Sequence, residues 1–429
     1  MKARGLVLVA FLYLILPLVQ VGFYLAGLPF ADAVDTLNFT ASIVSYHWLL
    51  ANVLMGLKVP LLQNTLPYDL RIRLHVWTSL GLFAFLVFHA VYGIFLKAKI
   101  IDLVSWSLTG IFLTMMALSL LWIPIPGLKT LRTKLLGLVR FGFLKSYDWL
   151  KAGHKVLFTA LAGLTYVHVV QSDVLGLVPP VSAWAYQGLF LVTAGFFLWT
   201  RIQNLTLPTL EVRSVALAGG IVRLGLSGHP RLNYRSGQFA YLRFAHPDLR
   251  GEEHPFSFTT ARHEAGVGFA VKDSGDFTRK LAALKPGDKV RVNGGFGAFH
   301  PGRGAAPLAL VGTGVGAAPL VSILKEVAQK DPNREVVVLL SVKDKSEMIE
   351  PETLVQLKLS MPGLKLKVFQ YHEGLPLFVP RLFTLEMDDP ARFQYFVCTS
   401  DKVRAQVVES LKAVGVKPRN IRFEAFNLG

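Results

Sequence analysis

RLHVWTSLGLFAFLVFHAVYG, residues 73–93, and AGHKVLFTALAGLTYVHVV, residues 152–170, each carry two histidines with thirteen residues between them: His75 and His89, then His154 and His168. On an α-helix fourteen steps rise about 21 Å and turn about 1400°, only about 40° short of whole turns. The two imidazoles of each pair therefore share a helix face, nearly two-thirds of a ~30 Å hydrocarbon core apart. Two such helices facing each other present one His–His pair near each membrane surface. That is the geometry for two haems stacked across a bilayer, each iron held from both sides. A single histidine in a spanning segment can be a hydrogen-bonded core residue. Four at one spacing, in segments where a polar group is costly, are not explained by packing. No Cys or Met forms a comparable pair, so soft metal ligation does not compete.

The surrounding composition agrees. The 429 residues are 52% hydrophobic and 17% charged, with a mean hydropathy of +0.45, too apolar for a soluble chain. The charge is uneven: only six of the 28 Asp and Glu precede residue 201. A membrane half is thus followed by a water-soluble half. With one cysteine, Cys398, an intrachain disulfide is impossible. The net charge of +17 raises nucleic acid as a partner, but no recognition motif accompanies it. Anionic membrane lipid and a phosphorylated cofactor account for it better.

Six apolar spans can be drawn, over 5–28, 41–63, 72–96, 103–123, 152–172 and 181–200, each near the ~20 residues a spanning helix needs. The first is too long for a secretory signal core and reads as a retained anchor. Lys2 and Arg4, then Lys58, Arg71 and Arg73, then Lys129, Arg132, Lys134, Arg140, Lys145 and Lys151 mark one side of the membrane; only Lys97 and Lys99 oppose the pattern. By the positive-inside rule the N-terminus and everything after residue 200 are cytoplasmic. His75 and His154 then lie toward the cytoplasm, and His89 and His168 toward the outer face. The basic segment 124–151 is an ordinary positive loop or a surface helix lying on the membrane.

From Arg201 short alternating runs appear: TLEVRSVAL, IVRLGLSG, QFAYLRF, PFSFTTA, VGFAVKD and KVRVNGGFG. Gly, Pro and Asp punctuate them, as in an antiparallel barrel, with one helix over about 276–284. After residue 305 strands alternate with helices, which predicts an α/β unit with a parallel sheet. The expected architecture is a membrane α-helical bundle of six spans with two haems (1–200), a β-barrel FAD domain (201–304) and an α/β NADP-binding domain (305–429).

Within the soluble half, HPFSFTTA (254–261), SGDFTRKL, GGFGAF, LVGTGVGAAP, FVCTS and RFEAF follow in an order that resembles the ferredoxin–NADP reductase module. Joined to the histidine pairs, nearly the full chain resembles a bacterial member of the NADPH oxidase/ferric reductase family. The resemblance implies that Pro255, Phe256 and Ser257 line the flavin ring and that His254 lies near the flavin phosphates. Ser274, Gly275 and Thr278 open a helix whose N-terminus can bind pyrophosphate; a plain cap by Ser274 is the simpler alternative. Gly312, Thr313, Gly314 and Gly316 follow an apolar strand and precede a helix, the context for cradling a dinucleotide phosphate, although the run departs from G-x-G-x-x-G. Ser341 and Lys343 would supply the hydroxyl and cation that a 2′-phosphate needs, or are solvated surface. Cys398 matches the family cysteine near the nicotinamide, with Thr399 where the family has Gly. Glu424 and Phe426 resemble the terminal acid-x-aromatic element, whose aromatic stacks on the flavin.

The resulting expectation is a flavocytochrome in the bacterial inner membrane. It passes electrons from cytoplasmic NADPH through FAD and two b-type haems, held by His75, His154, His89 and His168, to an acceptor outside. In the family that acceptor is often O₂, giving superoxide. A ferric-chelate or quinone reductase with the same path, and a cytochrome relay subunit, are the alternatives. No EF-hand loop or long regulatory insertion is visible, so activity without calcium and without an obligatory protein partner is expected. His47, near the outer end of the second span, would line an acceptor or proton site or be structural. Arg71 and Arg73 would meet haem propionates or only follow the positive-inside bias.

Overall fold

The computed structural model describes residues 3–27, 32–66, 68–93, 103–120, 147–171, 179–228, 232–249, 252–302, 304–371 and 377–424. The chain divides into two compact units, one of residues 2–62 and 70–203 and one of 63–69 and 204–428.

The first unit is helical. Helices α1 (Ala3–Ala10) and α2 (Leu16–Gly27) are joined through a π turn at Phe11–Ile15. There follow α3 (Ala33–Gly56), the short α4 (Pro60–Thr65), α5 (Tyr68–Val91), α6 (Leu103–Leu120), α7 (Tyr147–Gln171) and α8 (Pro180–Leu205). Among the described residues three helices are long and apolar enough to cross a membrane: Gly5–Gly27, Leu70–Val91 and Pro180–Leu205; Leu103–Ser119 is a shorter apolar helix. The segment expected as a second span over 41–63 is not among them: it falls on α3 and α4. Asp32 caps α3 by accepting Val34 N–H, so the helix starts early. It stops at Gly56, because Pro60 has no N–H with which to continue it.

Polar side chains register these helices. Tyr13 Oη donates to Asn52 Oδ1 (2.7 Å), Thr78 Oγ1 stands 2.7 Å from the same oxygen and 2.6 Å from Leu74 O, and Asn52 Nδ2 donates to Ser79 Oγ (3.2 Å). Gly81 lies against Trp48: a Cβ there would stand 2.7 Å from the indole. A small residue at such a crossing lets the two helices approach closely.

In the second unit, β1 (Thr209–Ala218), β2 (Ile221–Leu226), β3 (Phe239–Phe244), β4 (His254–Ser257), β5 (Val267–Lys272) and β6 (Lys289–Phe296) form an antiparallel sheet in the order β4-β3-β6-β1-β2-β5. The strand expected over PFSFTTA ends at Ser257. Phe258 leaves β3 and bridges to Phe269 of β5, which brings the two edge strands together. A barrel-like closure results, packed on Leu224, Leu242, Phe258, Phe269 and Val292. Helix α9 (Asp276–Lys280) follows β5.

The last part is a parallel sheet, β7 (Leu308–Thr313), β8 (Val336–Val342), β9 (Leu364–Gln370), β10 (Gln394–Cys398) and β11 (Ile421–Phe423), in the order β11-β10-β7-β8-β9. Helices α10 (Ala317–Lys330), α11 (Pro351–Ser360), α12 (Pro380–Glu386) and α13 (Asp401–Ala413) connect the strands. The central strands β7 and β8 are apolar almost throughout, as burial on both faces demands. Strand order reverses between β7 and β10, which opens a crevice at their carboxyl ends, where such sheets bind ligands.

Candidate functional site: two histidine pairs and a dinucleotide crevice

In the helical unit the structure brings His75 beside His154, with ring centres 6.3 Å apart, and His89 beside His168, 6.2 Å apart. The rings cross at 74° and 76°. An imidazole nitrogen binds a metal at about 2.0 Å, so two rings on opposite sides of one ion have centres roughly 6 Å apart. Both pairs have that spacing.

The protonation of two of the rings follows from their neighbours. Ser42 Oγ donates its single proton to Asn38 O (2.8 Å), so toward His89 it can only accept. His89 Nδ1 therefore carries the proton and donates to Ser42 Oγ (2.8 Å) and to the acceptor-only Asn38 Oδ1 (3.0 Å). Ser119 Oγ likewise spends its proton on Met115 O (2.8 Å) and accepts from His154 Nδ1 (3.2 Å). In both rings Nε2 keeps its lone pair, which is the tautomer a metal ligand needs. Ser105 Oγ stands 3.3 Å from His168 Nδ1. His75 Nδ1 is buried with no hydrogen-bond partner among the described residues. Phe158 stacks on His154 and meets the edge of His75.

Sequence reasoning found the four histidines and missed Asn38, Ser42, Ser105 and Ser119. A signal existed: Asn38 and Ser42 are four residues apart, hence on one helix face. His47 is almost fully buried, donates through Nδ1 to Ile43 O (2.8 Å), and packs its ring against Tyr46 and Tyr186. Arg71 is buried.

In the second unit β4 pairs with β3, with Tyr241 opposite Pro255, Ala240 opposite Phe256 and Phe239 opposite Ser257. His254 lies 2.9 Å from Glu252 Oε2 through Nε2 and rests on the Phe277 ring, 4.0 Å between centres, which sets it beside α9. The cap of α9 is not Ser274. Thr278 Oγ1 instead accepts from the backbone N–H of both Ser274 and Gly275 (3.0 Å each), so those two amides are engaged within the turn.

At the crevice Gly312, Gly316 and Cys398 come together. Gly312 pairs with Cys398 across β7 and β10. The turn Gly314–Gly316 crosses above them, with Gly314 at φ +51°, a left-handed conformation that favours glycine. A Cβ on Gly316 would stand 2.1 Å from Cys398 O, so only glycine permits this approach. Burial, then the carboxylate of Glu424, push the Cys398 thiol up to about 12, which favours the neutral thiol. Glu424 is buried, and its Oε1 would lie 2.9 Å from a Cβ on Gly297, a glycine that sequence reasoning did not single out. Phe426 lies outside the described residues. Ser341 is buried at the end of β8 opposite Thr313, whereas Lys343 is exposed in the loop that follows.

Residues 205–290 match an FAD-binding domain family and residues 310–376 match the oxidoreductase NAD-binding domain family. The chain is similar to a probable dihydroorotate dehydrogenase B (NAD(+)) electron transfer subunit of Methanocaldococcus jannaschii, 32% identical over 117 residues, 27% of this chain and 41% of that protein. It is similar to a component of the Na(+)-translocating NADH-quinone reductase of Actinobacillus succinogenes, 27% identical over 35% of this chain and 40% of that protein. It is similar to respiratory burst oxidase homolog protein D of Arabidopsis thaliana, 27% identical over 42% of this chain and 22% of that protein. The chain thus spans less than half the length of each of these relatives. What the matched families establish is an oxidoreductase module in which an FAD-binding domain is followed by an NAD-binding domain.

Proposed function

We propose that this chain is a multi-pass flavocytochrome of a bacterial inner membrane that oxidises NADPH at its cytoplasmic reductase unit and delivers the electrons to O₂ on the outer face. FAD and two b-type haems are the cofactors this reading requires: bound FAD would supply the conversion of a hydride's two electrons into single transfers, and bound haems would supply one-electron carriage. The overall balance is one NADPH and two O₂ giving NADP⁺, one proton and two superoxide ions.

The observation that carries the reading is the geometry of the histidine pairs in the same chain as an FAD/NAD module. Two imidazoles alone do not complete a metal's coordination, and among the described residues no third His, Cys, Asp or Glu joins either pair. A metal bound there must bring its other ligands with it, as a porphyrin does. His75 and His154 would hold one haem and His89 and His168 the other, with Ser119 and with Asn38 and Ser42 fixing the rings. In the crevice Gly314 and Gly316 would admit the nucleotide backbone, Cys398 and Glu424 would border the nicotinamide, and Lys343 would offer its ammonium to a 2′-phosphate. A ferric chelate or quinone as acceptor would leave every one of these roles unchanged.

The test uses detergent-purified protein with FAD and NADPH in air. NADPH loss matched by superoxide-dismutase-sensitive cytochrome c reduction is the expected result. A preparation that binds no haem, shown by the absence of an alkaline pyridine haemochrome spectrum, would overturn the reading. Haems that NADPH reduces without oxygen, and that only ferric chelate or quinone reoxidises, would replace O₂ by that acceptor.

A further inference from the structure

The loop after β8 carries Lys343, and its shape is set by groups far away in sequence. Within the loop, Asp344 Oδ1 accepts from Ser346 N (2.8 Å), and Glu347 Oε2 accepts from Lys343 N (2.9 Å). Glu347 is buried and lies against the glycine turn, its Oε2 3.8 Å from where a Cβ on Gly314 would be. The FAD barrel reaches this loop by three routes. Arg223, on β2, donates its guanidinium to Ser346 O (2.8 Å) and Met348 O (2.7 Å), two carbonyls that bracket Glu347. The β1–β2 hairpin turns at Gly219 and Gly220, with φ of +58° and +67°, and presses its tip on the same segment: a Cβ on Gly219 would stand 2.6 Å from Ser346 C. Lys272, at the end of β5, sets Nζ 3.9 Å from Glu347 Oε1. The hairpin is itself tied to the stretch before α9, since Asp273 N donates to Gly220 O (2.8 Å).

We infer that Arg223 is a positioning residue for pyridine-nucleotide selectivity: by clamping Ser346 and Met348 it fixes Glu347, and through Glu347 the backbone of Lys343, so that the barrel decides how well the loop reads the 2′-substituent of the adenosine ribose. Arg223 touches no nucleotide atom in this account. The physical basis is that Nη2 donates to both Ser346 O and Met348 O while Nη1 of the same planar, charged group reaches Ala218 O (3.4 Å), so one guanidinium ties the end of β1 to the loop in a geometry that a single lysine ammonium does not reproduce. The inference rests on the reading above that the crevice binds NADPH.

The experiment measures NADPH- and NADH-driven ferricyanide reduction by the full chain reconstituted with FAD, for the wild type, Arg223→Ala, Arg223→Lys and Gly219→Ala. Calorimetric binding of 2′,5′-adenosine bisphosphate and of 5′-AMP is the second readout. In Arg223→Ala the KM for NADPH should rise about tenfold, the scale of losing hydrogen bonds to a charged group, with kcat and the KM for NADH unchanged. Affinity for the bisphosphate should fall in parallel while that for 5′-AMP holds, and Arg223→Lys should lie between. Gly219→Ala, which lifts the hairpin off the loop, should shift the same ratio even if Arg223→Ala retains no FAD. Equal KM changes for both nucleotides, no change in either variant, or a wild type that binds the bisphosphate no better than 5′-AMP would overturn the inference. A wild type that oxidises neither nucleotide would instead overturn the functional reading.

Discussion

The double acceptor on His89 makes a quantitative prediction. Ser42→Ala leaves Asn38 Oδ1 at 3.0 Å from Nδ1, and Asn38→Ala leaves Ser42 Oγ at 2.8 Å, with the Asn38 carbonyl still holding the Ser42 proton. Each single variant therefore keeps the Nδ1 proton bonded, and haem affinity at the His89–His168 pair should change by no more than about threefold, the scale of a partial hydrogen-bond loss. The double variant removes both acceptors. A buried N–H left unpaired costs about 1–3 kcal/mol, which is about five- to 150-fold in affinity. The imidazole also gains a reason to turn over or to hold its proton on Nε2, where it cannot ligate. The assay is haem titration of detergent-purified apoprotein, read from the reduced absorption bands. The His75–His154 pair, which touches neither Ser42 nor Asn38, serves as the internal standard. The expected pattern is two near-silent single variants and a double variant that loses up to half the total haem. Losses that simply add, or a double variant that titrates like the wild type, would refute the tautomer argument.

Four further outcomes are expected. His89→Ala should lose the haem near the outer face and keep NADPH reduction of the flavin; unchanged haem stoichiometry would remove His89 from the ligand set. Gly316→Ala must displace the Cys398 carbonyl, now 2.1 Å from the new Cβ, and should destabilise the reductase unit by about 1–3 kcal/mol in urea melts, with weaker nucleotide binding; a neutral variant would mean the turn is free to move. Cys398 has its thiol raised from 9.0 to about 12 by burial and by Glu424. The unfolded chain then ionises first as pH rises, so stability held below pH 9 falls between pH 9 and 12, and Cys398→Ser should flatten that limb of the pH–stability curve. The native thiol should also resist maleimide at about pH 8 until denaturant is added; prompt labelling would contradict its burial.

How much of this was legible beforehand differs between the two halves. In the helical half the periodicity of an α-helix is local, so the spacing of His75 and His89, and of His154 and His168, already placed each pair on one face. The end of α3 was also local, since Pro60 cannot continue a helix, although hydropathy alone ran through it to residue 63. In the reductase half the alternating strands and the glycine turn after β7 announced a barrel and a parallel sheet.

Other features join residues far apart in the chain, and only packing could decide them. Ser42 and Asn38 meet His89 because α3 crosses α5, and the tautomer of the ring follows from where Ser42 sends its proton. Gly316 needs to be glycine because β10 brings Cys398 O underneath it, through a sheet order that reverses between β7 and β10. Ser341 reads in sequence as an available hydroxyl, yet the two-sided burial of β8 encloses it and leaves Lys343 exposed. Arg223, a plain alternating strand residue by pattern, reaches two carbonyls more than 120 residues away. Local sequence determined which segments are helices, strands and turns, because backbone propensity and hydrophobic period act over a few residues. The tertiary structure decided which side chains share a proton, a carbonyl or a buried charge, because those depend on distances that only the packed chain sets.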